Sequence, residues 1–231
     1  MNRIAAIDKF DEEDFRRHYV TWMQTPGSHN DTYASTCHRM FFANLMAGKA
    51  PGACADNDGH NVDTIDALTL AIPIVLKYCD ASKDLRDKMV LDGIHVTRKT
   101  GKALDRYAVV FSDLLVNVIN GKDLRTAIDE AGQDIGIQSV SALTRQARGD
   151  PMTACYIDSS FPATLFIASK YAESVEGAVL GNANAGGENV ARGSCVGALL
   201  GAAHGTAAFP LWSRELYAKE AIMTGIDAFA K

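Results

Sequence analysis

Gly186-Gly187-Glu188-Asn189 precedes a run of small residues and is where this sequence concentrates its chemistry. Two consecutive glycines allow backbone angles closed to other residues, and the free N–H groups of a following helical turn face outward as an anion-binding end. A carboxylate at that positive end has two readings. Glu188 or Asn189 caps the helix, or the turn forms a phosphate or metal site.

A second polar constellation runs from Cys54 to Asp63, CADNDGHNVD. Asp56, Asp58 and Gly59 sit at the third, fifth and sixth places of a calcium loop, but the twelfth is Ile65, where a bidentate glutamate is required. The calcium reading fails. The stretch reads as a polar loop capping the next helix, or as ligand contacts through His60, Asn61 and Asp63. Cys37, His38, Cys54 and His60 are the residue types of a zinc set, yet their spacing has neither a C-x-x-C nor an H-x-x-x-H half-site. No cysteine shares a local motif with a histidine base, so each cysteine reads as a small buried residue. His95, inside an apolar stretch, reads as a satisfied core histidine, and Asp158 as a helix cap that also has the option of lining a cleft.

Helices must position these groups. Phe15, Tyr19, Val20 and Met23 share one face of 12–23, after an acidic start suited to a helix N-terminus. A second helix follows a cap at Asp31 or Thr32 and ends near Gly48 and Pro51. Residues 62–78 are apolar nearly all round, which predicts a buried, central helix kinked at Pro73. Further helical periods cover 82–97, 103–119, 124–130, 138–147, a segment opened by Asp158 or Ser159 and running to Tyr171, 188–205 and 214–229. No alternating strand pattern occurs, so the sequence predicts an all-α fold. Gly193, Gly197, Gly201 and Gly205 recur every fourth residue, and each costs about 1 kcal/mol against alanine in a helix interior. That stripe predicts a neighbouring helix lying against bare backbone.

At 231 residues with no linker, one domain is expected. A formal charge of −5 leaves no electrostatic footprint for nucleic acid. Five cysteines, an odd number without C-x-x-C, fit reduced thiols in a cytoplasmic compartment. The apolar run after Gly193 is flanked by Arg192 and His204, too short for a membrane span.

The order Gly-Gly-acid, small-residue helix, Pro210, Trp212 resembles the C-terminal acidic helix of the ADP-ribosylglycohydrolase family, and within it the branch of J-type crystallins and selenoprotein J. Phe10-Asp11-x-x-Asp14-Phe15 with Tyr19 and Trp22 is similar to the family's entry helix. His60-Asn61-Val62-Asp63 through Pro73 resembles the start of its ligand-facing helix, and His95-Val96-Thr97 the segment before a long helix ending at Asn120-Gly121-Lys122. The resemblance covers essentially the whole chain. It implies a compact multi-helix bundle around a central Gly/Ala-rich helix, residues 1–231 forming a single domain, with a cleft for an ADP-ribosyl group and two magnesium ions that activate glycosidic hydrolysis. On this resemblance Glu188 is the catalytic and metal-binding candidate, and His60, Asn61, Asp63, His95, Gly186, Gly187, Asn189 and Arg192 are ligand-binding candidates.

Two departures shape the functional expectation. The family's Thr-Asp-Asp-Thr-like motif lies upstream of the entry helix, so the domain is expected to be incomplete at its N-terminus, exposing an apolar face that favours self-association. Where the family carries Gly-Gly-Asp-Thr-Asp-Thr, this chain has Gly-Gly-Glu-Asn-Val-Ala, which puts the Mg2+ site in doubt. The expectation is a degenerate member that keeps at most an ADP-ribose-type cleft, with little or no hydrolase activity. An active magnesium-dependent hydrolase and a structural, crystallin-like protein are the alternatives. Partners would be an ADP-ribose-like small molecule or an ADP-ribosylated protein.

Overall fold

A computed structural model describes all of residues 1–231 except Thr32, His60, Ala147, Arg148 and Lys231. Among the described residues the chain is all-α, with isolated β-bridges joining Thr64 to Tyr156 and Thr153 to Gly187 but no strand. The helices are α1 (Asn2–Ile7), α2 (Glu12–Gln24), α3 (Thr36–Met46), α4 (Asp66–Lys77), α5 (Lys83–His95) and α6 (Lys102–Ile119). They continue with α7 (Leu124–Asp134), α8 (Val140–Thr144), α9 (Ile157–Lys170), α10 (Val175–Ala185), α11 (Val190–His204) and α12 (Lys219–Phe229). None of them is long and apolar enough to cross a membrane.

Local chemistry accounts for most helix starts. The Asp11 carboxylate accepts from Asp14 N at 2.9 Å, and Glu12, Glu13 and Asp14 place negative charge on the first turn of α2. Ser82, Asp123, Ser139 and Ser174 cap α5, α7, α8 and α10 in the same way. Ser35, not Asp31, occupies the N-cap position of α3, and expected cap Thr32 lies outside the described residues.

α4, α6, α9 and α11 share the core. α4 buries Ala67, Leu68, Ala71, Ile74 and Val75 with Pro73 inside the helix, and α11 turns Cys195, Val196, Leu199 and Leu200 inward. Phe161 of α9 meets the Phe111 ring of α6 edge-on, with centroids 6.3 Å apart. Each such side chain, fully buried, contributes about 1.5–3 kcal/mol of transfer free energy.

Three expectations are corrected, and two helices, α1 and α10, lie where the sequence shows no helical period. α10 carries Gly177, Gly181 and Asn182, poor helix formers, and it forms because the missing side chain at Gly181 admits the Tyr171 ring. The helix expected over 62–78 begins only at Asp66, since 61–65 is drawn into backbone pairing with 155–157. α9 starts at Ile157 with Tyr156 at its N-cap position, so Asp158 lies in its first turn rather than capping it, and Pro162 lies inside the helix. The glycine stripe receives a neighbouring helix only at Gly193, not along its length. A Cβ at Gly193 would meet Asn182 of α10 and one at Gly201 the Phe209 ring, while Gly197 faces open space and Gly205, at φ +72°, ends the helix.

Candidate functional site

The Gly186-Gly187 corner joins α10 to α11. Gly186 and Gly187 have φ of +72° and +68°, and a Cβ on Gly187 would collide with the Thr153 carbonyl oxygen. That oxygen accepts from Glu188 N at 2.8 Å, so close approach here requires glycine. The Glu188 carboxylate accepts from Ala191 N at 3.1 Å and thereby serves the capping role. Asn189 is bound into the same corner: its carbonyl accepts from Asn182 Nδ2 at 2.7 Å, and its own Nδ2 donates to Ala183 O at 3.4 Å.

Arg192 holds this corner from beneath. Its side chain is fully buried, and its donors are engaged by the protein. Nε donates to Asn182 Oδ1 at 2.6 Å, Nη1 to Thr153 Oγ1 at 3.0 Å and Pro151 O at 3.4 Å, and Nη2 to Gly186 O at 2.8 Å and Asn182 O at 3.3 Å. Burial lowers its affinity for the proton, and nearby Glu188 opposes that. With every donor used, Arg192 positions backbone in this structure.

Residues 153–157, which no periodic pattern in the sequence marks, form a hub. On one side they carry the Gly187 bridge. On the other, Ile65 N donates to Cys155 O at 2.9 Å, Ile157 N to Asp63 O at 3.0 Å, and the Tyr156 hydroxyl to Asn61 Oδ1 at 3.2 Å. Asp63 also accepts from Gly101 N at 2.7 Å, where a Cβ would strike its carboxylate. Asn61, Asp63 and the Glu188 corner are thus joined through one extended segment. Partial burial, with the negative charges of Asp66 and Glu188, pushes the Cys155 thiol up from its ordinary pKa.

Asp66 and Arg98 are the principal pair that sequence reading missed. Arg98 is 1% exposed, and its Nη1 and Nη2 reach the Asp66 oxygens at 3.2 and 3.0 Å. Nη1 also donates to Thr64 Oγ1 and Val62 O, and the Thr64 hydroxyl donates to Asp66. Burial by itself would raise the Asp66 carboxyl, but the Arg98 charge and the hydrogen bonds hold it below the usual carboxylate range. The available signal was an arginine closing the apolar stretch Ile94-His95-Val96-Thr97.

His95 departs from the core reading. It lies at the surface, with Nε2 at 2.9 Å from both Asp105 Oδ1 and Thr100 Oγ1. His60 lies outside the described residues. All five cysteines are free, with Cys37, Cys54 and Cys195 buried and Cys79 and Cys155 partly so. A cavity of about 850 Å³ opens between α1, α2 and α4, lined by Ile4, Phe10, Phe15, Trp22 and Pro73 among others. None of Asn61, Asp63, His95, Gly186, Gly187, Glu188, Asn189 or Arg192 lines it.

Helical architecture and a glycine corner closed on a single extended hub define the class, and comparison with known families places the chain within it. Residues 3–231 match the ADP-ribosylglycohydrolase family, and the chain belongs to that family. No curated protein matches it significantly. The family resemblance implies paired magnesium ions at the Gly186-Gly187 corner. A magnesium pair needs several oxygen donors, whereas the corner offers one carboxylate, already hydrogen-bonded to Ala191 N, beside neutral Asn189, Val190 and Ala191. The donor set there does not fit a magnesium pair.

Proposed function

We propose that this ADP-ribosylglycohydrolase-family chain is a ligand-binding member that retains an ADP-ribose-type site and has little or no hydrolase activity. The ligand candidates are Asn61 and Asp63 on one side of the 153–157 hub and Gly186, Gly187 and Asn189 on the other, with His95 and, next to Asn61 in sequence, His60 as further candidates. The observation that carries the reading is Glu188. It is the corner's one carboxylate and is occupied in capping α11. Without further oxygen donors a water molecule bound at this corner would keep nearly its bulk acidity, and no hydroxide nucleophile would form there at neutral pH.

The test is calorimetric titration of the purified chain with ADP-ribose, with and without magnesium, beside an assay for ADP-ribose released from a modified peptide. Binding that is indifferent to magnesium, with no release, is expected. Magnesium-dependent release abolished by Glu188→Ala would establish the active-hydrolase alternative. No binding in either condition would remove the ligand site from the reading and leave a structural, crystallin-like role.

A further inference from the structure

Away from the Gly186-Gly187 corner, two helix starts bring together three side chains of different donor type. Cys37 and His38 lie in the first turn of α3, and Asp66 is the first residue of α4. One ligand atom from each lies within 4.8 Å of the other two, the only such grouping of His, Cys, Asp and Glu among the described residues. We propose that Cys37, His38 and Asp66 form a mononuclear site for a zinc-class transition-metal ion, distinct from any magnesium chemistry of the family.

Thiolate, imidazole and carboxylate together match zinc, whereas magnesium takes oxygen donors in octahedral array. Tetrahedral zinc with these donors sets ligand atoms roughly 3.3–3.6 Å apart, so closure takes side-chain shifts of about 1 Å. The surroundings supply what holds such ligands in place. The Tyr19 hydroxyl lies 2.7 Å from His38 Nδ1, which fixes the orientation of the ring. Arg98 and Thr64 hold the Asp66 carboxylate: Oδ1 accepts from both, and Oδ2, which accepts from Arg98 Nη2 alone, keeps a lone pair for a metal. Ser35 Oγ stands 3.1 Å from Cys37 Sγ. An entry path exists, because His38, Tyr19 and Thr97 line the cavity between α1, α2 and α4. Three protein ligands leave a fourth position for water, the arrangement of an open rather than a closed zinc site. On binding, the Cys37 thiol gives its proton to solvent and its sulfur lone pair to the ion, with no change of oxidation state.

Cobalt(II) is the probe, added to the full-length reduced chain after chelator treatment and desalting. One ion per chain is expected, with a thiolate-to-cobalt charge-transfer band and tetrahedral visible bands, bleached by an equivalent of zinc and indifferent to excess magnesium. Cys37→Ser should abolish the charge-transfer band while Cys155→Ser keeps it. Tyr19→Phe should retain the band and weaken affinity roughly 10–100-fold. If Cys37→Ser loses its helical circular dichroism, His38→Gln takes its place, and loss of the tetrahedral bands in a folded chain is then expected. Absence of thiolate charge transfer in the native sequence, or its survival in folded Cys37→Ser, would overturn the proposal. Because the readout involves no ADP-ribose, its failure leaves the family-site reading untouched.

Discussion

At φ +68° and in contact with the Thr153 carbonyl, Gly187 occupies a place that a Cβ can neither reach conformationally nor fit sterically. Gly187→Ala should therefore cost about 2–5 kcal/mol, a fall in melting temperature of roughly 5–15 °C for a chain of this size. Gly197 is the control. It lies in the interior of α11 with open space where its Cβ would be, so Gly197→Ala should stabilise by up to about 1 kcal/mol, read as a small rise in the same thermal scan. Arg192→Met removes donors from Asn182, Gly186 and Thr153 at once, and orphaned buried acceptors cost about 1–3 kcal/mol each. Chemical denaturation should report a loss of roughly 2–5 kcal/mol, and hydrogen exchange should speed up at Glu188 N, whose acceptor is Thr153 O.

Between elements, one carboxylate of α7 ties the start of α8, beside the close approach of Gly132 to Val140. Asp129 accepts from Ser141 N at 2.8 Å and from the Ser141 and Ser139 hydroxyls at 2.5 and 3.3 Å. Partial burial pushes its carboxyl up, but these hydrogen bonds outweigh that and hold it below the usual carboxylate value. A depressed folded-state pKa means stability that is complete above the unfolded-state value and is lost as pH falls through the folded one. Acid titration followed by circular dichroism should thus show the native chain losing stability below about pH 4. Asp129→Asn should be less stable than the native chain at pH 7, with the gap narrowing as the acid limb is entered. An unchanged gap down to pH 2.5 would contradict this linkage.

For the molecule as a whole, the segment after α11 is the least covered. Leu211 is 73% exposed, and Leu216, Tyr217, Ile222, Met223 and Ile226 are also open to solvent, while α12 is fastened to the rest chiefly through α1. Apolar surface of this kind promotes association. Sedimentation velocity across a concentration series should show reversible self-association, weakened by Leu211→Glu together with Leu216→Glu. A species that stays monomeric throughout would refute it. The cavity between α1, α2 and α4 adds a second opening, and Trp22, half exposed at its wall, supplies an intrinsic fluorophore for following its occupancy.

Helical periodicity determined the fold class and most of the elements without help from tertiary structure, because a 3.6-residue apolar repeat writes a helix face directly into the chain. The Gly186-Gly187 corner was legible for a similar reason: only glycine supplies those backbone angles. Partnership was decided elsewhere. The 153–157 segment is too short and irregular to show a strand pattern, and it becomes a hub only because α4, α9 and α11 bring 61–65 and 187 to its two edges. Arg98 with Asp66, and Cys37 and His38 with Asp66, join residues about thirty positions apart. Local spacing encodes conformation, but contact between distant side chains exists only once the helices have packed, and that packing set which polar groups were consumed in holding backbone and which were left facing one another.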